Sequence, residues 1–109
     1  MSFAKKNNLA VIEDCAQSPG ATYRGKTVGT IGDCVIFSFQ ESKNMMTGEG
    51  GIVTTNNDDV AEQCRRFRHH GQSEKTRYEY YDIGYNYRMT DLQAAIGIAQ
   101  LESLEDFTN

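Results

Sequence analysis

Lys43 stands between two stretches that leave the backbone little freedom. Residues 34–39 are β-branched and aromatic, a strand signature, while Gly48-Glu49-Gly50-Gly51 behind the lysine calls for a sharp turn. An amine kept from full hydration gives up its proton more readily, and the neutral amine condenses with aldehydes. Asp14 lies 29 residues upstream and closes a second apolar run, Val11-Ile12-Glu13-Asp14. A lysine and a carboxylate at the ends of neighbouring strands match what pyridoxal phosphate asks of a protein. The amine holds the aldehyde, and the acid keeps the ring nitrogen protonated so that the ring can accept electrons.

The elements that must carry these groups follow from the apolar pattern. Residues 3–8 read as the tail of a helix ended by Asn7-Asn8. Residues 9–12 form a short apolar run suited to a buried parallel strand. Residues 21–23 and 27–28 read as two small strands around a turn at Arg24-Gly25-Lys26, and residues 34–39 and 51–55 as two further strands. A helix is expected from an N-cap at Asn57 to about His69, and another from Thr90, whose Gln93 three residues on completes a capping box. In that second helix Leu92, Ala95, Ile96, Ala99 and Leu104 fall at helical spacing, with Ile98 and Leu101 widening the stripe, and residues 101–107 continue it. Between the helices, residues 78–87 hold five of the six tyrosines in an irregular loop.

Composition bounds the rest. The chain has 109 residues, 39% hydrophobic and 24% charged, ordinary values for one modest globular unit. A net charge of −4 argues against nucleic acid as a main partner, although Arg65, Arg66 and Arg68 cluster on a segment that also carries acids. No apolar run reaches the length of a membrane span and the first residues lack the apolar core of a signal peptide, so a cytoplasmic place and no membrane partner are expected. Cys15, Cys34 and Cys64 are odd in number and far apart, and His69 and His70 are adjacent; three buried, reduced thiols and no metal site are expected.

One motif tempts and fails. Residues 20–27 match G-x-x-x-x-G-K-[ST], the phosphate loop of many nucleotide hydrolases, which functions only where a helix begins behind it. Here Val28-Gly29-Thr30-Ile31-Gly32 follows, too rich in glycine and β-branched residues to start a helix. A polar β-turn is expected instead.

The residues together resemble a known family. Glu13-Asp14-Cys15-Ala16-Gln17, Phe37-Ser38-Phe39, Lys43 with Gly48-Glu49-Gly50-Gly51, His70-Gly71, and Gly84-Tyr85-Asn86-Tyr87-Arg88-Met89 with Gln93-Ala94-Ala95 are similar to blocks of the DegT/DnrJ/EryC1/StrS sugar aminotransferases. The resemblance covers nearly the whole chain, in order. It implies a pyridoxal 5′-phosphate enzyme of fold type I that transfers an amino group, with glutamate as donor, to a keto group of a nucleotide-linked sugar. By the resemblance, Lys43 is the lysine that bonds the cofactor and moves the proton. Asp14 is the partner of the ring nitrogen, and Gln17 packs near the ring. Ser38 binds the cofactor phosphate, and Asn86 reaches a phosphate from the other subunit of a homodimer. Lysine rather than histidine at position 43 points to transamination instead of dehydration. Taken singly, Asp14 as a strand-end cap, Ser38 as a strand hydroxyl and Asn86 as a turn residue are the plainer readings, and it is their joint order that favours the family's roles.

The fold class implied is α/β. The chain would be part of the large cofactor-binding domain, a mostly parallel sheet with flanking helices, incomplete at both ends. Residues 1–109 are therefore expected to form a partial domain that binds cofactor weakly or not at all by itself and is inactive alone. The alternative is a non-catalytic piece that pairs with itself or a partner through the apolar helix face between Leu92 and Leu104.

Overall fold

The computed structural model describes residues 1–108. Helix α1 (Ser2–Lys6) ends at Asn7 and at Asn8, which takes a positive φ of 52°. Strands β1 (Ile12–Asp14), β4 (Cys34–Ser38) and β5 (Gly51–Thr55) make one sheet in the order β1-β4-β5. β1 runs parallel to β4 with Asp14 opposite Ile36, whereas β5 runs antiparallel to β4 with Gly51 opposite Ser38.

The sheet is thus mixed, not mostly parallel. The amide of Phe39 donates to the Gly50 carbonyl at 2.9 Å, so the chain folds back directly beside β4, and positive φ at Gly48 and Gly50 allows the reversal. The first strand also sits later than its apolar run suggests. Val11 is occupied by Asp33, whose amide donates to its carbonyl and whose side chain accepts from its amide. Pairing therefore starts at Ile12, whose side chain is 70% exposed.

Residues 20–27 form no phosphate loop. Strands β2 (Thr22–Tyr23) and β3 (Lys26–Thr27) pair antiparallel around Arg24-Gly25, both at positive φ, the signature of a type I′ hairpin turn. No helix begins behind it.

Helix α2 (Asp58–Arg68) starts where Asn57 Oδ1 accepts from the amides of Asp59 and Val60. Two aspartates in its first turn and three arginines in its last complement the helix dipole. The arginines are met by acids: Arg66 pairs with Glu62 at 3.0 Å and Arg68 with Glu74 at 2.6 Å. Helix α3 (Asp91–Glu102) begins with the full capping box of Thr90 and Gln93. It does not run on unbroken. Ser103 ends it, its hydroxyl donating to the Ala99 carbonyl, and a separate turn α4 (Leu104–Thr108) follows.

The body is flat, 46 × 43 × 20 Å, with a radius of gyration of 15.7 Å against about 13 Å for a compact chain of this length. Its core is correspondingly thin: Cys15, Val35 and Met45 are the buried hydrophobic side chains among the described residues. Cys15 is buried as expected, but Cys34 and Cys64 are half-buried, and all three are free thiols. No helix is long and apolar enough to cross a membrane, and no metal-ligating cluster occurs among the described residues.

Candidate active site at the β1–β4 edge

Strand register decides which side chains meet. Residues directly opposite in a sheet share a face and alternate residues along a strand return to it. Asp14, opposite Ile36, therefore shares its face with Ile36 and with Ser38 two residues further on. Both lie at the carboxyl ends of parallel strands, where open α/β sheets place their ligands. One oxygen of Asp14 accepts from the Ala16 amide at 3.0 Å, which fixes the carboxylate at the strand end. The Ser38 hydroxyl accepts a long bond of 3.4 Å from the Gln40 amide. Gln17 lies exposed in the turn after β1, which closes with the Ser18 amide on the Cys15 carbonyl.

Lys43 lies in the turn that follows β4, five residues beyond Ser38. Its amide donates to the Gln40 carbonyl at 2.9 Å, and it is half-buried while both neighbours, Ser42 and Asn44, are exposed. The turn is anchored where the Thr47 amide reaches the Phe39 carbonyl, with Met45 and Thr47 buried.

Glu13 points to the other face of β1. Its carboxylate accepts from the amides of Gly29 at 2.6 Å and of Ile31 and Gly32 at 3.0 Å. These bonds, first Gly29 and then Gly32, hold its carboxyl below the usual value. The buried Cys15 thiol is pushed up, chiefly by burial and then by the Glu13 charge. Sequence reasoning missed Glu13 as a clamp, since an acid beside Asp14 carries no sign of which loop will close over it.

Asn86 belongs to another neighbourhood. Residues 84–88 lie against the end of α2, with the His70 amide on the Tyr85 carbonyl and the Tyr87 amide on the Arg68 carbonyl. His69 and Asn86 thus oppose each other as a non-hydrogen-bonded pair, whose side chains approach most closely. Arg88 Nη1 donates to His69 Nδ1 at 3.0 Å, which leaves the imidazole proton on Nε2. Tyr85 and Tyr87 stack 5.2 Å apart, and both rings lie near Phe67. The structure brings Asp14 and Ser38 to one sheet face and sets Lys43 in the adjoining turn. It holds Asn86 against α2 instead.

A large open trough of about 1560 Å³ lies elsewhere, between β5, α2 and residues 82–93. Its walls include Ile52, Val53, Cys64, Phe67 and Ile83; none of Asp14, Ser38 or Lys43 lines it.

The family model described as the DegT/DnrJ/EryC1/StrS aminotransferase family matches residues 1–109. The chain belongs to that family. It is 51% identical over 106 residues to the GDP-perosamine synthase of Caulobacter vibrioides, a match covering 97% of this chain and 29% of that enzyme. It is 50% identical over 107 residues to the GDP-perosamine synthase of Escherichia coli O157:H7, covering 98% of this chain and again 29% of the relative. Among solved structures, Helicobacter pylori PseC, an aminotransferase of pseudoaminic acid biosynthesis, superposes with a TM-score of 0.90 at 34% identity, over 96% of this chain and 29% of that one. The chain thus spans less than a third of the length of the relatives it matches.

Proposed function

We propose that these residues are the segment of a sugar aminotransferase that holds pyridoxal 5′-phosphate and presents Lys43 to it, as part of that enzyme's large domain. The observation that carries the reading is the parallel β1–β4 register, which sets Asp14 and Ser38 on one face of the sheet, just ahead of the turn that holds a half-buried lysine. The donor set fits the group: an anion for a protonated ring nitrogen, a hydroxyl for a phosphate, and a primary amine for an aldehyde. When bound, the cofactor supplies that aldehyde and a ring that takes up the electrons released as a carbon proton leaves.

Asp14 keeps the ring nitrogen charged, Gln17 flanks the ring, and Lys43 Nζ receives and returns the proton. Ser38 donates to the phosphate, and Asn86, held on the end of α2, serves the phosphate of the other subunit in a homodimer. The acceptor is the keto group of a nucleotide-linked sugar and the donor is glutamate. Support for the acceptor comes from the relatives, three of which are named for GDP-perosamine. A cytoplasmic role in polysaccharide biosynthesis goes with that assignment.

Reductive trapping tests it. With pyridoxal phosphate and borohydride, mass spectrometry of an aminotransferase that includes this segment should find the label concentrated on Lys43 ahead of Lys5, Lys6, Lys26 and Lys75, and lost in Lys43→Arg. Label spread evenly over the five lysines refutes the assignment. A second reading, a non-catalytic pairing module, is favoured by one observation: Leu92, Ile98 and Leu101 on α3 are exposed. Sedimentation that shows a monomer at all concentrations removes it.

A further inference from the structure

The face of α3 that meets the rest of the chain is not its apolar stripe. Leu92 is 80% exposed, and Ile96, Ile98 and Leu101 also face outward. Besides Ala94, the inward positions are Gln93, Gly97 and Gln100, spaced i, i+4, i+7 along one side of the helix. Each touches the turn that carries Lys43. Gln93 Nε2 donates to the Glu49 carbonyl at 3.0 Å, and Gln100 Oε1 accepts from the Met46 amide at 3.4 Å. Between them Gly97 leaves room for buried Met45 and Thr47: a Cβ there would stand 3.1 Å from Thr47 Cγ2. Two amides and a glycine thus grip both flanks of the turn from outside, adding to its own bonds, among them those from the Thr47 amide to the Phe39 carbonyl and from the Thr47 hydroxyl to the Glu49 carbonyl.

We infer that the Gln93–Gly97–Gln100 seam of α3 positions the Lys43 amine, making Gln93 and Gln100 positioning residues for the chemistry proposed at Lys43. The inference rests on that proposed role of Lys43 and adds what holds the amine in place. A lysine on a freely moving turn samples many placements, and fixing the turn removes that freedom before reaction. Gln93 is doubly placed. Its Oε1 accepts from the amide and hydroxyl of Thr90 to start the helix, while its Nε2 holds the glycine turn. The start of α3 and the turn behind Lys43 are therefore fastened by one side chain.

Three substitutions separate the seam from helix stability and from charge. Gln93→Glu keeps the capping acceptor, glutamate being a favoured residue there, but replaces the donor toward Glu49 with an anion. Gln100→Leu removes the acceptor for Met46 without adding charge. Gln100→Glu adds the same charge yet keeps that acceptor, and serves as the rescue. Helix content by circular dichroism should be the same in all three.

Amide exchange at Met46 and Thr47 should quicken about 3- to 10-fold in Gln93→Glu and Gln100→Leu, the range for one lost hydrogen bond, and stay near the parent rate in Gln100→Glu. The share of borohydride-trapped pyridoxal phosphate found on Lys43, measured against pH, should fall in the first two variants toward the profile of exposed Lys75. It should be retained in the third. Unchanged exchange and an unchanged Lys43 share in Gln93→Glu and Gln100→Leu overturn the inference. Equal losses in Gln93→Glu and Gln100→Glu also overturn it, because charge would then explain both. An unsubstituted enzyme that includes this segment and shows no preference for Lys43 would instead refute the proposed role of the amine, while the exchange rates still judge the seam.

Discussion

Gly71→Ala should be far more damaging than a glycine substitution of the same backbone class elsewhere in the chain. Gly71 and Gly25 both sit at positive φ, 76° and 75°. An alanine at either position therefore meets the same intrinsic penalty, about 1 kcal/mol. Their surroundings differ. Nothing lies within 4 Å of a Cβ built at Gly25, whereas at Gly71 it would fall 1.7 Å from the Asp82 carbonyl oxygen. Real contacts do not fall below 3.0 Å, so the two segments would have to part by roughly 1.3 Å. The crossing is held by bonds at 2.9 Å from the Tyr81 amide to the Gly71 carbonyl and from the His70 amide to the Tyr85 carbonyl, and at 2.7 Å from the Tyr85 amide to the Phe67 carbonyl. A parting of that size takes two or more of these out of hydrogen-bond range, at about 1 kcal/mol each.

Gly71→Ala should then lose about 3 kcal/mol and Gly25→Ala about 1 kcal/mol. Urea titration followed by circular dichroism reads both, in an osmolyte background that secures the folded baseline. The bond between Arg88 and His69 should be lost with the crossing in Gly71→Ala, visible as a change in the His69 ring signals. Equal losses in the two variants would refute the packing argument and leave only backbone strain.

Thr90→Ala removes the acceptor for the Gln93 amide and should cost about 1 kcal/mol of stability, read as a lower urea midpoint with unchanged slope. Glu13 has its carboxyl pKa lowered in the folded chain, so the stability of its clamp is fully present above the ordinary value of 4.5 and drains as pH falls below it, through the depressed folded-state value. Glu13→Gln should flatten that acid limb of an unfolding-versus-pH curve; an unaltered limb would mean that the three amides do not need the charge. Cys15, buried and with its thiol pKa raised, should react with iodoacetamide more slowly than half-buried Cys34, and denaturant should abolish the difference. Lys26→Ala should change nucleotide binding in no measurable way, because the residue lies in a hairpin with no helix behind it; a nucleotide affinity lost on that change would contradict the turn geometry.

Local chemistry was legible in the sequence wherever one or two neighbouring residues suffice to satisfy the backbone. Asn57 and Thr90 cap their helices because their side-chain oxygens reach amides two or three residues away. Residues 28–32 are too rich in glycine and β-branched residues to start a helix, so the letter match to a phosphate loop could be set aside without coordinates, and Gly25 at positive φ turns the β2–β3 hairpin. The strands were found but misplaced by a few residues where a partner intervenes, as Asp33 does at Val11, and the apolar run 9–12 marked composition more than burial.

Tertiary structure alone decided what depends on distant segments meeting. The sequence could nominate Asp14, Ser38 and Lys43, but only strand register sets Asp14 and Ser38 on one face, since a slip of one residue would turn either away. It could not show that Glu13 clamps the Gly29–Gly32 amides, nor that Gly71 and Gly84 are needed where two segments cross at backbone contact. The helical stripe from Leu92 to Leu104 is legible in the sequence as an apolar face, but not that the chain would turn Gln93, Gly97 and Gln100 inward beside it. A turn that offers a carbonyl with room for a second donor and an amide in need of an acceptor selects polar partners and a missing side chain over apolar surface, and periodicity carries no record of which surface a helix will meet.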